Sequence, residues 1–406
     1  MDSRNNDPGD GAPAAGTKPH HKDTRLVSAG RRIEQYERFV NPPIYRGSTV
    51  LYPSVAALQA RDLPYTYGRS GTPTTEALET ALSELEGGAG TVLVPSGLAA
   101  IALALQASAV AGDHVLVTDS CYQPTRRFCD TWLTRCGIET EYYDPAIGAG
   151  IASLFQDNTA AVFLESPGSQ TFEMQDVPAI TTAARAANVT TLMDNTWATG
   201  LYFRPLEHGV DLSIQAGTKY VGGHSDIMLG AVTANGATWP HLKQLWTVSG
   251  SCAGPDTVFL AHRGLRTLAV RLERHMRSAL EVARWLEGRP EIARVLHPGL
   301  ESHPGHDIWK RDFGGSSGLF SVVMKPGPER AVSAFLDDLD LFGLGFSWGG
   351  YESLAVPFDP TPYRTATKWT ADGPGIRFHI GLEDPADLKA DLEAGLERWR
   401  GAGGEG

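Results

Sequence analysis

No apolar run in this sequence is long enough to span a bilayer, and no basic-then-apolar leader opens it, so the chain is expected to work in the cytoplasm with no membrane partner. Basic charge is also in short supply. Lys and Arg number 35 against 47 Asp and Glu, a net charge of −12, which leaves no basic stripe for nucleic acid. Only 4 cysteines occur. Cys121, Cys129 and Cys136 lie close together at spacings that match no zinc pattern, and Cys252 stands alone. They read as reduced thiols, buried or partly buried, with neither a disulfide framework nor a metal. A Gly-x-Gly-x-x-Gly turn after a first strand is missing too, because the cluster Gly87-Gly-Ala-Gly90 precedes its strand. That argues against a nicotinamide dehydrogenase.

What is present suits a large enzyme. The 406 residues, 42% hydrophobic and 20% charged, suggest a globular chain of two domains. Met1 to Lys22 is rich in Gly, Ala, Pro, Asp and Asn and is expected to be a disordered tail, with residues 401–406 a second flexible end. Residues 23–65 read as an N-terminal arm, Thr49 to Tyr52 being its most strand-like part. From residue 66 to 255 short apolar strands at Thr91–Val94, His114–Thr118, Ala160–Leu164, Thr191–Met193, Leu212–Gln215 and Leu229–Thr233 alternate with helical patterns. That is an α/β pattern with a mostly parallel sheet covered on both faces. Residues 256–400 change texture: one long helical run over about Thr257–Gly288, then weaker strand and helix signals, predict a smaller α+β C-terminal domain.

Two strand ends carry chemistry. Lys219 follows the apolar strand Leu212–Gln215 through a small-residue turn, and Asp194 ends the strand before it. Singly, each has an ordinary explanation, a solvated lysine and a helix cap or turn former. Together they suit pyridoxal phosphate, which needs an amine to hold its aldehyde and an anion to keep its ring nitrogen protonated. The cofactor's phosphate needs amides, hydroxyls and a cation. Ser96-Gly97-Leu98 opens a helix whose N-terminus favours an anion, and Thr218 adds a hydroxyl. Tyr67 and Arg69 supply a phenol and a guanidinium from an irregular stretch that can reach a neighbouring subunit. Tyr122, after the strand His114–Thr118, falls at the same sheet edge and can cover the ring. Arg377, on a strand of the second domain, can clamp a substrate carboxylate. Arg126 and Arg127 read as a solvated pair.

These runs resemble one family. Tyr67-Gly-Arg-Ser-Gly-Thr-Pro73, Glu165-Ser-Pro-Gly168, Asp194-Asn-Thr-Trp197, Thr218-Lys219-Tyr and Gly223-His-Ser-Asp226 together resemble the Cys/Met-metabolism enzymes that depend on pyridoxal phosphate, from about Val40 to Trp399. The resemblance implies PLP-dependent transferase fold type I, like the aspartate aminotransferases, and a homotetramer of two active dimers. It makes Lys219 the cofactor's anchor and proton carrier, Asp194 the partner of the ring nitrogen and Tyr122 the residue stacked on the ring. It assigns Gly97, Leu98 and Thr218 to the phosphate, with Tyr67, Arg69 and the arm engaging the adjacent subunit. It places the substrate carboxylate at Arg377, with Ser347 and Trp348 nearby.

Ser347-Trp348-Gly-Gly-Tyr351-Glu-Ser353, Gly168-Ser169-Gln-Thr-Phe-Glu173 and His379-Ile-Gly-Leu-Glu-Asp384 are most similar to the bacterial cystathionine β-lyase branch. Ser169 stands where γ-lyases and γ-synthases usually carry Asn, within reach of the cofactor's phenolic oxygen, and Ala216 replaces a frequent phosphate-binding Ser. The implied reaction is β-elimination from an amino-acid substrate, releasing a thiol, pyruvate and ammonia. The alternatives are γ-synthase or γ-lyase chemistry, a broader cysteine-S-conjugate β-lyase, and a non-enzymatic regulator on the same fold.

Overall fold

The structure, a computed structural model, describes residues 21–406. The tail expected over Met1 to Lys22 lies outside these residues except at its end, where Lys22 opens the helix Lys22–Ser28. Strands β1 (Gly90–Val94), β2 (His114–Thr118), β3 (Glu139–Tyr143), β4 (Thr159–Glu165), β5 (Thr190–Asp194), β6 (Leu212–Gln215) and β7 (Gly230–Ala234) form a seven-stranded sheet in the order β1-β7-β6-β5-β4-β2-β3. Strands β3, β2, β4, β5 and β6 run parallel, and β7 is antiparallel to both β6 and β1.

Alternation along each strand sends side chains to two cores, one per face. Val115, Val117 and Phe163 pack with Ile101 and Leu105 of the helix Gly97–Ser108. Leu116, Leu164 and Met193 pack with Leu78 and Ile180 of the helices Pro73–Glu86 and Val177–Ala186. Burial on both faces explains why these strands read as continuous apolar runs.

A second sheet contains β8 (Ile292–Leu296), β9 (Leu319–Met324), β10 (Leu354–Phe358) and β11 (Gly375–His379), ordered β10-β11-β9-β8 and wholly antiparallel. The helices Leu268–Glu287, Glu329–Leu336 and Pro385–Gly401 share its core. Among the described residues no helix is long and apolar enough to cross a membrane.

Several expectations change. The single helical run over Thr257–Gly288 is two helices, Pro255–Leu265 and Leu268–Glu287. The break is local: the Gly264 carbonyl, which a continuous helix would offer to the Leu268 amide, accepts instead from the Thr267 amide at 3.1 Å and from Arg271 Nη2 at 2.7 Å. The helix Leu268–Glu287 contributes to both cores, Leu268 and Leu272 to that of the large sheet and Ala279, Val282 and Leu286 to that of the small one. The C-terminal end, expected to be loose, folds back: Trp399 Nε1 donates to the Glu405 carbonyl at 3.0 Å and the Glu405 amide to that of Pro326 at 3.0 Å. In the arm, Thr49 makes only an isolated bridge to Tyr67.

Candidate active site

The carboxyl ends of parallel strands leave a crevice where no crossover covers the edge. Here β2 delivers Tyr122, β4 Glu165, β5 Asp194 and β6, through a turn, Lys219. The Lys219 ammonium donates to Ser347 Oγ and lies 5.3 Å from the centre of the Trp348 ring. Two separate elements therefore hold one amine. Ser347 comes from the loop before β10, and that loop runs against Lys219 because position 349 is glycine: a Cβ there would sit 3.0 Å from Lys219 Cα and Cβ, at a φ of +88°. Burial, with Arg377 adding repulsion, pushes the lysine down to about 8, while Asp194 opposes the shift.

Asp194 and Glu165 face each other across the β4–β5 register. For two half-buried carboxylates at neighbouring strand ends, keeping one of the pair protonated is favoured over charging both. Glu165 is pushed well above the ordinary range by burial and by Asp194, so it is the neutral member. Asp194 is also raised by burial, but the Thr196 hydroxyl and amide hydrogen-bond to its Oδ1, at 2.5 and 3.0 Å, and Lys219 helps hold the anion. It is a half-buried anion whose protein donors both reach one oxygen, which suits a cationic ring nitrogen. Glu165 acts on the backbone instead. Its Oε2 accepts the Tyr122 amide at 2.8 Å and so fixes the turn carrying that ring. Tyr122 is 45% exposed, and burial followed by the two carboxylates raises its phenol so that it stays protonated at neutral pH.

Arg377, on β11, donates from Nη2 to the Ser347 carbonyl at 3.0 Å, and its buried Nε has no partner. Burial lowers its pKa only to about 10, so it remains a cation with unengaged donors, as a carboxylate clamp requires. Behind it, His379 Nε2 accepts the Gly349 amide at 3.1 Å, which ties β11 to the Ser347 loop.

For the phosphate, Ser96 caps the helix Gly97–Ser108 by accepting the Ala99 amide at 3.1 Å, leaving the Gly97 and Leu98 amides pointing out of its first turn. Gly97 lets this turn approach the β6 end, since a Cβ would lie 2.6 Å from that of Ala216. Thr218 is beside it, but its hydroxyl accepts the Leu229 amide at 3.0 Å and donates to the Leu229 carbonyl at 3.2 Å, so contact with an anion requires it to turn away. Free amides, a backbone cradle, a half-buried anion and a low-pKa lysine together fit pyridoxal phosphate.

Tyr67 and Arg69 are not drawn into this group within the chain. Tyr67 is 46% exposed, and Arg69 Nη1 donates to the Thr247 carbonyl at 3.0 Å. Arg126, expected as half of a solvated pair, is buried: it pairs with Asp119 and lies 3.4 Å over the Tyr142 ring. Its charge answers the buried Asp119, a pairing that no motif or spacing announces. Thr196 and Glu165 also escape the sequence reading as functional residues. Both stand in the quoted runs: Thr196 two residues after Asp194, where a side-chain hydroxyl and a backbone amide can reach that carboxylate, and Glu165 at the end of the apolar run Ala160–Leu164.

A family model described as "Cys/Met metabolism PLP-dependent enzyme" matches residues 23–397. The "Putative cystathionine beta-lyase" of Rhizobium johnstonii is 56% identical over 92% of this chain and 95% of its own length. The cystathionine beta-lyase MetC of Escherichia coli is 46% identical over 93% and 98%. A cystathionine gamma synthase from Xanthomonas oryzae pv. oryzae, solved with aminoacrylate and cysteine, superposes with a TM-score of 0.87 at 33% identity, covering 95% of this chain and 100% of that one.

Proposed function

This chain belongs to the Cys/Met-metabolism family of PLP-dependent enzymes, and on that premise we propose that it is a carbon–sulfur β-lyase acting on cystathionine. The observation that carries the reading is Lys219, a lysine with a pKa of about 8, held by Ser347 beside Asp194 and Arg377. Pyridoxal phosphate, when bound, supplies an electron-accepting ring next to the substrate's α-carbon. The protein's residues do the rest. Arg377 binds the substrate carboxylate and so orients the Cα–H bond toward Lys219. The neutral Lys219 amine removes the α-proton, and Ser347 positions that amine between uses. As the Cβ–S bond breaks, its electron pair leaves with sulfur. Lys219 or the Tyr122 phenol then gives a proton to the thiolate, and water releases the remaining three carbons as pyruvate and ammonia.

The β outcome is supported by Ser169 and Ser347-Trp348 and by the names of the relatives at 46–56% identity. The direct test supplies cystathionine and identifies the keto acid. Pyruvate with homocysteine is expected; 2-oxobutyrate with cysteine would replace the reading with γ-elimination. A broader cysteine-conjugate lyase would process S-alkyl cysteines with a comparable kcat/KM.

The pH dependence follows from the lysine. Its reactive form is the free amine and its pKa is about 8, so the base is about one-tenth available at pH 7 and about nine-tenths at pH 9. The logarithm of kcat should rise with unit slope below this value and level off above it, as stopped-time pyruvate assays from pH 6 to pH 10 would read. A flat profile across that range would remove Lys219 as the rate-limiting base.

The working form is proposed to be a cytoplasmic homotetramer of two active dimers, with residues 23–65 lying on the neighbouring subunit. Phe39, Leu51 and Val55, 72%, 86% and 70% exposed, support a covered arm. Exposed Tyr67 and Arg69 would then complete a neighbour's phosphate site.

A further inference from the structure

Strands β10 and β11 are antiparallel neighbours that a two-residue turn could join, yet residues 359–374 connect them by a long irregular path. That path leaves the small sheet and attaches to the large domain at two places. Asp119, fully buried and the first residue after β2, accepts the Thr365 amide at 3.1 Å, the Thr367 amide at 2.8 Å and the Thr367 hydroxyl at 2.7 Å, as well as Arg126. Burial alone would raise this carboxyl, but these donors together hold it below the ordinary aspartate value, so it is an anion bound on all sides. Three residues on stands Tyr122.

The second attachment is to the loop that carries Ser169. Arg364 Nη1 reaches Glu173 Oε1 at 2.6 Å, its Nη2 reaches Glu173 Oε2 at 3.2 Å and also donates to Thr171, and Tyr363 Oη donates to Gln170 Oε1 at 2.7 Å. This loop needs holding. Gln170 and Phe172, neither of them glycine, have φ values of +65° and +60°, a conformation that persists only where surrounding contacts enforce it. The loop is joined to the Tyr122 turn as well, since the Ser169 amide donates to the Ser120 carbonyl at 2.7 Å.

We propose that residues 363–367 form a strap that fixes the Tyr122 turn and the Ser169 loop against the small domain, making Asp119, Tyr363, Arg364 and Thr367 positioning residues of the elimination site. None of them touches the reacting atoms. They act by holding two walls of the crevice while Arg377, on β11, binds the substrate carboxylate and Ser347 holds the Lys219 amine. The inference rests on the proposed reading of Tyr122 and Ser169 as site residues.

The test uses holoenzymes of R364M, which keeps volume and removes the fork, R364K, which keeps charge, and Y363F. Amide hydrogen exchange should rise about tenfold in peptides covering 168–175 and 119–125 of R364M, and less in Y363F, with β5 and β9 peptides unchanged. The kcat for cystathionine should fall about 10- to 100-fold in R364M while KM stays within about threefold, and R364K should lie between. Unchanged exchange in both peptides of R364M and Y363F overturns the strap, as does a rise shared equally by β5 and β9. If R364M does not fold, Y363F carries the same comparison. A wild-type enzyme that releases no pyruvate would sink the functional reading, and the exchange data would still decide whether the strap exists.

Discussion

Replacing Lys219 with alanine is expected to lower kcat for cystathionine cleavage by at least roughly 100- to 10,000-fold, the span that one positioned proton-transfer group ordinarily contributes. The loss should be at the top of that range, because the same side chain is proposed both to anchor the cofactor and to move the proton. Borohydride reduction followed by peptide mapping separates the two roles. Wild type should carry the cofactor on the peptide containing Lys219, and the variant should carry none, whatever its residual activity. A small primary amine added to K219A should restore part of the proton transfer without restoring attachment. The fold should not suffer. Burial depresses the lysine's pKa, so the folded state disfavours the ammonium, and that penalty is present at every pH below the folded value of about 8. Deleting the side chain removes the penalty, so with no cofactor bound to either protein K219A at pH 7 should melt no lower than wild type, while wild type alone gains the stability of an attached cofactor. A variant that still attached the cofactor covalently, or that turned over within tenfold of wild type, would end the assignment.

The sheet that carries Lys219 was readable because it is mostly parallel and covered on both faces. His114–Thr118 and Leu212–Gln215 are bounded as the apolar runs indicate, and their ends mark the crevice. What escaped has physical reasons. Strand β3, Glu139–Tyr143, lies at the sheet edge and is mostly half-exposed, so it carries two glutamates and shows no apolar run. Strand β10 contains Pro357, which argues against a strand unless it lies at an edge, and β10 is the edge of the small sheet. Arg126 looked solvated because its partner, Asp119, is seven residues away on the far side of a turn. Charge pairs of that kind have no periodicity to betray them. The strap is harder still, since Thr365 and Thr367 bind Asp119 with backbone amides, which every sequence contains.

Asp194→Asn should cost roughly 100- to 1,000-fold in kcat, the usual loss when one preorganised electrostatic partner is removed. Asparagine keeps the shape and can still accept the Thr196 hydroxyl and amide, so the strand end should persist and KM should change little. Only the negative charge goes, and with it the group proposed to keep the ring nitrogen protonated. The comparison that makes this decisive is Glu165→Gln. Glu165 lies beside Asp194 across the register and is likewise half-buried, but desolvation and its neighbour favour its neutral form. Glutamine is nearly the isostere of that neutral acid and can still accept the Tyr122 amide, so E165Q should stay within about threefold of wild type. Steady-state pyruvate release for the two variants, measured side by side, reads which carboxyl holds the charge. A deep loss in E165Q with a mild one in D194N would move the anion to β4 and with it the proposed partner of the cofactor's nitrogen. Equal deep losses would mean that the pair acts as one unit sharing a proton, and the reading of Asp194 as a fixed anion would fall.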